Sequence, residues 1–173
     1  ELNIDTVPVF QGGCSMKLID EIGETEDLSY IVPYHEQALA IMVESYARFR
    51  GFGVGIVTSG PGGTNLITGI CCAYYDSIPC LFITGQVGMI HMKGERSVRQ
   101  RGFQETDIVS VVDPITKYAT VLENPLDTRY VFEKAVHLAK SGRPGPVLID
   151  LPYNIQRAAI SPDELRAFTP PEK

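Results

Sequence analysis

The chain has 173 residues, 44% of them apolar and 21% charged, and a net charge of −6. That length suits one domain with a real core, and the composition is that of an ordinary soluble globular protein. The acidic balance argues against a nucleic-acid partner, Gly and Pro interrupt every apolar run before it could span a membrane, and the opening residues do not read as a signal peptide.

The first residue is Glu1 rather than Met, and Leu2-Asn3 reads as the end of an earlier helix. A fragment or a processed product is therefore expected. The cysteines at 14, 71, 72 and 80 form no C-x-x-C pair, and the last three lie among apolar residues. Reduced, buried thiols in a cytosolic protein are expected, rather than metal ligands or a disulfide framework.

In chain order, residues 7–10 read as a short strand that ends at Gly12-Gly13. Residues 16–22 read as a helix, and 29–32 as a strand stopped by Pro33. Glu36 opens a helix to Arg50 with Ala38, Ile41, Met42 and Phe49 on one stripe, closed by Gly51. Residues 54–58 form a β-branched strand, 59–63 a Gly/Pro turn and 64–75 a helix. A strand at 81–84 leads into a long polar loop over 86–105, followed by a short helix at 107–112 and a strand at 117–121. Asn124-Pro125 opens a helix to about Lys140, and 147–151 is a sixth strand.

Such alternation predicts a three-layer α/β sandwich: a six-stranded, mostly parallel sheet with helices on both faces. Residues 1–157 are expected to form the domain. Residues 158–173, with Pro162, Pro170 and Pro171, read as a linker to something further. There is no internal repeat.

From Gly51 to Met92 the only Asp, Glu, Lys or Arg is Asp76. A helix with no charged outer face is either covered by another domain or subunit, or carries a small neutral face to water. The first reading predicts an interface over 64–75.

Two local features admit opposite readings. Thr58-Ser59-Gly60-Pro61-Gly62-Gly63-Thr64-Asn65 lies between a strand and a helix, where α/β folds bind ligands. It lacks the Lys of a phosphate loop, and Asn65 stands where a dinucleotide fingerprint needs Gly. Taken alone it is either a tight turn or a ligand site. Glu36, next to His35, opens a helix, where an acid is common because it complements the helix dipole.

Several segments occur together in a fixed order: Tyr34-His35-Glu36-Gln37-Ala38, Glu44-Ser45-Tyr46-Ala47-Arg48, the turn from Thr58 to Asn65, and Asp76-Ser77-Ile78-Pro79. Thr84-Gly85-Gln86-Val87, Phe103-Gln104-Glu105, Lys117 and Gly142-Arg143-Pro144-Gly145-Pro146 continue the order. The set, over residues 6–157, resembles the N-terminal pyrimidine-binding domain of acetolactate synthase and its relatives, which use thiamine diphosphate. The resemblance implies that Glu36 hydrogen-bonds N1′ of the cofactor's aminopyrimidine and so promotes loss of the C2 proton. That role requires a buried carboxyl.

It further implies that Gly12, Gly13, Cys14, Ser59, Gly60, Pro61, Gly62 and Asn65 line the cofactor, although Cys14 stands where a small Ala is usual. Gln86, Phe103 and Gln104 match positions on the substrate side, or have structural roles in their loop. The family binds the diphosphate and Mg²⁺ through a C-terminal domain with a Gly-Asp-Gly…Asn motif, which this sequence does not contain. The chain alone is thus expected to be inactive, and to need that domain and a second copy, because the family's cofactor lies between subunits.

The implied chemistry is carboligation or decarboxylation of a 2-oxo acid, with pyruvate as the first candidate. Residues 95–102 depart from the acetolactate synthase pattern and look more like relatives in sugar-nucleotide and surface-polysaccharide pathways. The basic residues Lys93, Arg96, Arg99 and Arg101 either meet an anionic substrate or form a solvated loop. A non-catalytic regulatory relative would lack the acid at 36, and a nucleotide-binding module would need the fingerprints that fail here.

Overall fold

Six strands form within a residue or two of where the sequence places them in the computed structural model, which describes residues 2–171. They are β1 (Thr6–Pro8), β2 (Ser29–Ile31), β3 (Gly53–Val57), β4 (Cys80–Gln86), β5 (Tyr118–Val121) and β6 (Val147–Pro152). Glu1, Glu172 and Lys173 lie outside the described residues.

Every pairing is parallel, as expected, but the strands do not form one six-stranded sheet. They form a two-stranded sheet, β1-β2, and a four-stranded sheet in the order β3-β4-β6-β5. A single bridge, Val9 to Ile56, joins the two, with Phe10 N–H donating to Ile56 O at 2.8 Å. The reason is in the sequence. Pro8 sits at the next position back along β1 and has no N–H with which to extend the ladder.

The core divides by strand periodicity. On β4, Leu81 and Ile83 join Val7, Phe52, Val147 and Ile149 on one face, while Cys80 and Phe82 join Leu39, Val43, Ile70 and Leu148 on the other. Helices α1 (Met16–Glu24) and α6 (Thr128–Lys140) cover the first face. The second is covered by α2 (Glu36–Arg50), α4 (Ile67–Asp76) and α5 (Ile108–Val112).

Three helices differ from the sequence reading. The helix over 64–75 is broken into α3 (Pro61–Thr64) and α4, because Gly62 and Gly63 are poor helix formers and Leu66 N–H bonds back to Gly63 O at 3.1 Å. Asn124 caps a 3-10 turn over Pro125–Asp127 before α6 begins. The stripe of Ala38, Ile41, Met42 and Phe49 on α2 is not its buried face. Leu39, Ala40, Val43 and Ala47 are buried, while Ile41 and Phe49 are exposed. The inward face uses small residues because α4 crosses closely: a Cβ on Gly69 would lie 2.3 Å from Ala40 Cβ.

After β6 comes α7 (Tyr153–Gln156). The chain then returns along α6, where Phe168 N–H donates to the Glu133 carboxylate at 2.7 Å and its ring meets Tyr130 edge-on. Of the four thiols expected to be buried, only Cys80 is; Cys72 is exposed on the outer face of α4, and Cys14 and Cys71 are half-buried. No helix among the described residues is long and apolar enough to cross a membrane.

Candidate functional site

In parallel sheets, ligand chemistry collects at the carboxyl ends of the strands. Here those ends carry the Gly12–Cys14 turn (after β1), Glu36 (after β2), the Ser59–Asn65 segment (after β3), Gln86 (closing β4) and Tyr153 (after β6).

Pro33 stops β2, and His35 caps α2 by accepting a hydrogen bond from Gln37 N–H at 3.1 Å. Glu36 is therefore the first residue of α2, where the dipole favours a negative charge. It is only 7% exposed. The close crossing of α2 and α4 brings Asn65 to it, and Asn65 Nδ2 donates to Glu36 Oε2 at 2.9 Å. Glu36 Oε1 accepts no hydrogen bond from the described side chains. One carboxyl oxygen is thus fixed by Asn65, and the other is available for a hydrogen bond to a ligand.

The two Gly-rich turns pack on each other's supports. A Cβ on Gly12 would lie 2.5 Å from the Thr58 side chain, and Cys14 N–H donates to Thr58 Oγ1 at 3.3 Å. Cys14 O accepts from Gln156 Nε2 at 2.7 Å and lies 2.0 Å from a Cβ built on Gly85. Gly60 has φ of +61° and would touch Gln104 O at 2.6 Å. Gly62 and Gly63 face Thr58 and Ile108 in the same way. These glycines are required by neighbouring protein atoms. Gly13 differs, because a Cβ there meets nothing within 4 Å. Ser59 is buried and Pro61 exposed.

Gln86 is 1% exposed and turned inward. Its Nε2 donates to Asp150 Oδ2 at 2.8 Å and to Thr106 O at 2.9 Å, and its Oε1 accepts from Val87 N–H. Thr84 Oγ1 donates to Asp150 Oδ1 at 2.6 Å. Burial pushes the Asp150 carboxyl up to about 7, against the pull of those two donors. Sequence reasoning missed Asp150, although an acid inside the apolar run 147–151 was a visible signal.

An unfolded Asp150 titrates near its ordinary value of 3.8, so the folded protein holds the extra proton between there and about pH 7. Its contribution to stability is full below that window and is lost as pH rises through it. Asp150→Asn removes the titration. The stability difference between wild type and variant should therefore fall by a few kcal/mol, an order of magnitude only, from pH 4 to pH 8. Urea midpoints across that range check this, and parallel curves for the two proteins would contradict it.

Beside the Gly12–Cys14 turn lies an open cleft of about 480 Å³, into which Gly13, Cys14 and Phe103 project with His91, Arg101 and Tyr153. Phe103 is 84% exposed. The loop that forms one wall is organised by Glu105, whose carboxylate accepts from the backbone N–H groups of Lys93, Arg101 and Gly102. Burial alone would raise that carboxyl, but the three donors outweigh it and hold it below the usual range. The structure thus sets Gly12 and Cys14 against Thr58 and Gln104 against Gly60, places Gly13, Cys14 and Phe103 in one cleft, pairs Glu36 with Asn65, and turns Gln86 away into the core. His91 and Tyr153 had no motif to mark them. No group of three His, Cys, Asp or Glu side chains suited to a metal lies among the described residues.

Residues 1–111 match the model of a family described as thiamine pyrophosphate enzyme, N-terminal TPP binding domain. The chain is 40% identical over 162 residues to the acetolactate synthase large subunit of Lactococcus lactis subsp. lactis, covering 93% of this chain and 27% of that protein. It is 42% identical over 161 residues to acetolactate synthase 2, chloroplastic, of Nicotiana tabacum (92% and 23%). Against acetolactate synthase, chloroplastic, of Arabidopsis thaliana it is 39% identical over 169 residues (97% and 24%). The chain spans about a quarter of the length of these relatives.

Proposed function

This chain belongs to the thiamine pyrophosphate enzymes, as their N-terminal TPP-binding domain, and from that premise we propose that it lends Glu36 to an enzyme that joins or decarboxylates 2-oxo acids. The observation that carries this reading is the uncommitted Oε1 of the buried Glu36.

The residues fit the aminopyrimidine end of the cofactor. Glu36 offers an oxygen for a ring nitrogen, and Asn65 holds that carboxyl in place. Gly13, in the other Gly-rich turn, has no atom within 4 Å of a built Cβ and so leaves side-chain space open there. Gly12, Cys14 and Ser59–Gly62 complete the proposed wall. When bound, thiamine diphosphate supplies a carbon nucleophile for the 2-oxo acid. In this reading Glu36 works at its end of the cofactor, with Oε1 placed to exchange a proton with a ring nitrogen. The diphosphate and Mg²⁺ belong, in this reading, to a separate C-terminal domain.

The proposed assembly is a homo-oligomer. Ile41 and Phe49 on α2, with Thr68, Cys72 and Tyr75 on α4, are exposed and uncharged, and with the Arg48–Asp76 ion pair that joins the two helices they make a face suited to a second copy. The free thiols suit a reducing compartment, which we take to be the cytoplasm. A second reading, action in a sugar-nucleotide or surface-polysaccharide pathway, draws on the basic 93–101 loop alone.

Titrating the chain with thiamine diphosphate tests the proposal. Only a ring-sized contact is available, so binding should be on the order of millimolar. It should be insensitive to Mg²⁺, weaker in Glu36→Ala, and not reproduced by NAD or ATP. Tight, metal-dependent binding would mean that the diphosphate site lies on this chain. No binding at all would remove the proposal. Sedimentation of the same sample reads the oligomer, and a monomer at every concentration would end that part.

A further inference from the structure

We propose that the cleft beside Cys14 is a docking site for a substrate carboxylate, which the Arg101 guanidinium receives with the His91 imidazole beside it. The inference rests on the reading that the chain serves an enzyme acting on 2-oxo acids, and it adds the part of the substrate that this domain recognises.

The first ground is charge. The protein carries a net −6, yet among the described residues no Asp or Glu lines the cleft, and two of its lining residues are Arg101 and His91. The nearest acid in the chain, Glu105, is consumed by three backbone N–H groups of the same loop. Tyr153, which lines the cleft, accepts from Arg157 at 2.6 Å on its other side, where Lys17 and Asp20 also lie.

The second ground is preorganisation. Arg48, Arg50, Arg129 and Arg166 are paired with carboxylates, whereas Arg101, like Arg96, Arg99, Arg143 and Arg157, has no ion pair among the described residues, and of these five only Arg101 lines the cleft. It is nonetheless held in place. Its backbone N–H is fixed by Glu105, and one guanidinium nitrogen donates to Ile90 O. The remaining donors of its planar fork are left for an oxyanion, and a carboxylate matches that fork. Lys93, Arg96 and Arg99 do not line the cleft, and Arg96 donates to carbonyls of its own loop. One member of the basic cluster is therefore singled out by geometry.

The third ground is space. Gly13 has nothing within 4 Å of a built Cβ, and the nearest atom to one on Gly88 is 3.6 Å away. Neither has a positive φ, so neither backbone nor packing requires glycine there. Their missing side chains keep the cleft open at the carboxyl ends of β1 and β4.

Pyruvate is the probe, with the neutral pyruvamide and inorganic phosphate as comparisons, followed by two-dimensional NMR on the 173-residue chain. Pyruvate should shift the His91, Tyr153 and Val87 signals, and pyruvamide should not. Arg101→Gln should weaken the binding about tenfold, as expected for loss of a charge-assisted contact. Arg99→Gln should leave it unchanged. Gly88→Val fills the cleft without altering charge, and should abolish the shifts even if Arg101→Gln disturbs the loop.

The site is wrong if pyruvate shifts nothing, if Arg99→Gln weakens binding as much as Arg101→Gln, or if phosphate binds as well as pyruvate, which would mark a generic anion patch. Thiamine diphosphate titrated into the same samples reports separately on Glu36 and Asn65. Loss of those shifts alone defeats the cofactor reading, and loss of the pyruvate shifts alone defeats this one.

Discussion

Glu36→Gln, introduced into a full-length enzyme carrying this domain, should slow exchange of the cofactor's C2 proton by about 10²- to 10⁴-fold, the usual worth of a positioned acid or base. The substitution is nearly isosteric. A Gln carbonyl oxygen can still accept from Asn65 Nδ2, so the side chain should keep the place it has now. Its other terminus becomes an amide, which donates but cannot give up and regain a proton near neutral pH. Folding should be little changed, because α2 keeps its His35 cap and its Leu39, Ala40 and Val43 packing. Cofactor affinity should also survive if the diphosphate is held elsewhere. Exchange measured by hydrogen–deuterium NMR decides the matter, and a near-normal rate would take Glu36 out of the chemistry.

Gly85→Ala should be among the most destabilising single substitutions in the chain. Gly85 is buried on β4, and a Cβ there would meet Cys14 O at 2.0 Å, Cys14 C at 2.5 Å and Ser15 N at 3.0 Å. All three are backbone atoms of a turn already tied to Thr58 and Gln156, so no side chain can swing aside. Overpacking of this kind costs about 3 kcal/mol or more. Gly13→Ala, one residue before Cys14, should be nearly neutral, because it meets no atom. Urea midpoints of the two variants make the comparison, and equal midpoints would show that the turn can move.

Much of the fold was legible because its signals are local. Strand and helix alternate, α2 was bounded correctly by Glu36 and Gly51, and each strand was marked by apolar and β-branched residues. What failed depends on tertiary contact. The apolar stripe of Ile41 and Phe49 faces outward because the close α4 crossing selects the small-residue side of α2. Pro8 interrupts the sheet, which shows only once β1 is known to lie beside β3. Among candidate site residues, Glu36 is marked by its motif, but the side chain that it meets, Asn65, is 29 positions away and comes to it only in the fold. Gln86 belonged to a motif, yet its amide answers to Asp150, 64 residues on. Arg101 looked like one of four equivalent bases until the cleft separated it from the others.

The single bridge between Val9 and Ile56 bears on motion. Glu36 and the Gly12–Cys14 turn ride on the small sheet, while Asn65, Gln86 and Tyr153 ride on the large one. The boundary between the two sheets therefore runs beneath the site. A two-stranded ribbon is marginal by itself, and its opening costs less than global unfolding. The β1-β2 amide hydrogens should accordingly exchange with solvent faster than those of the fully paired β4 and β6. Two side-chain contacts cross that boundary, Asn65 with Glu36 and Thr58 with Cys14, and tie the small sheet to the large one at the candidate site.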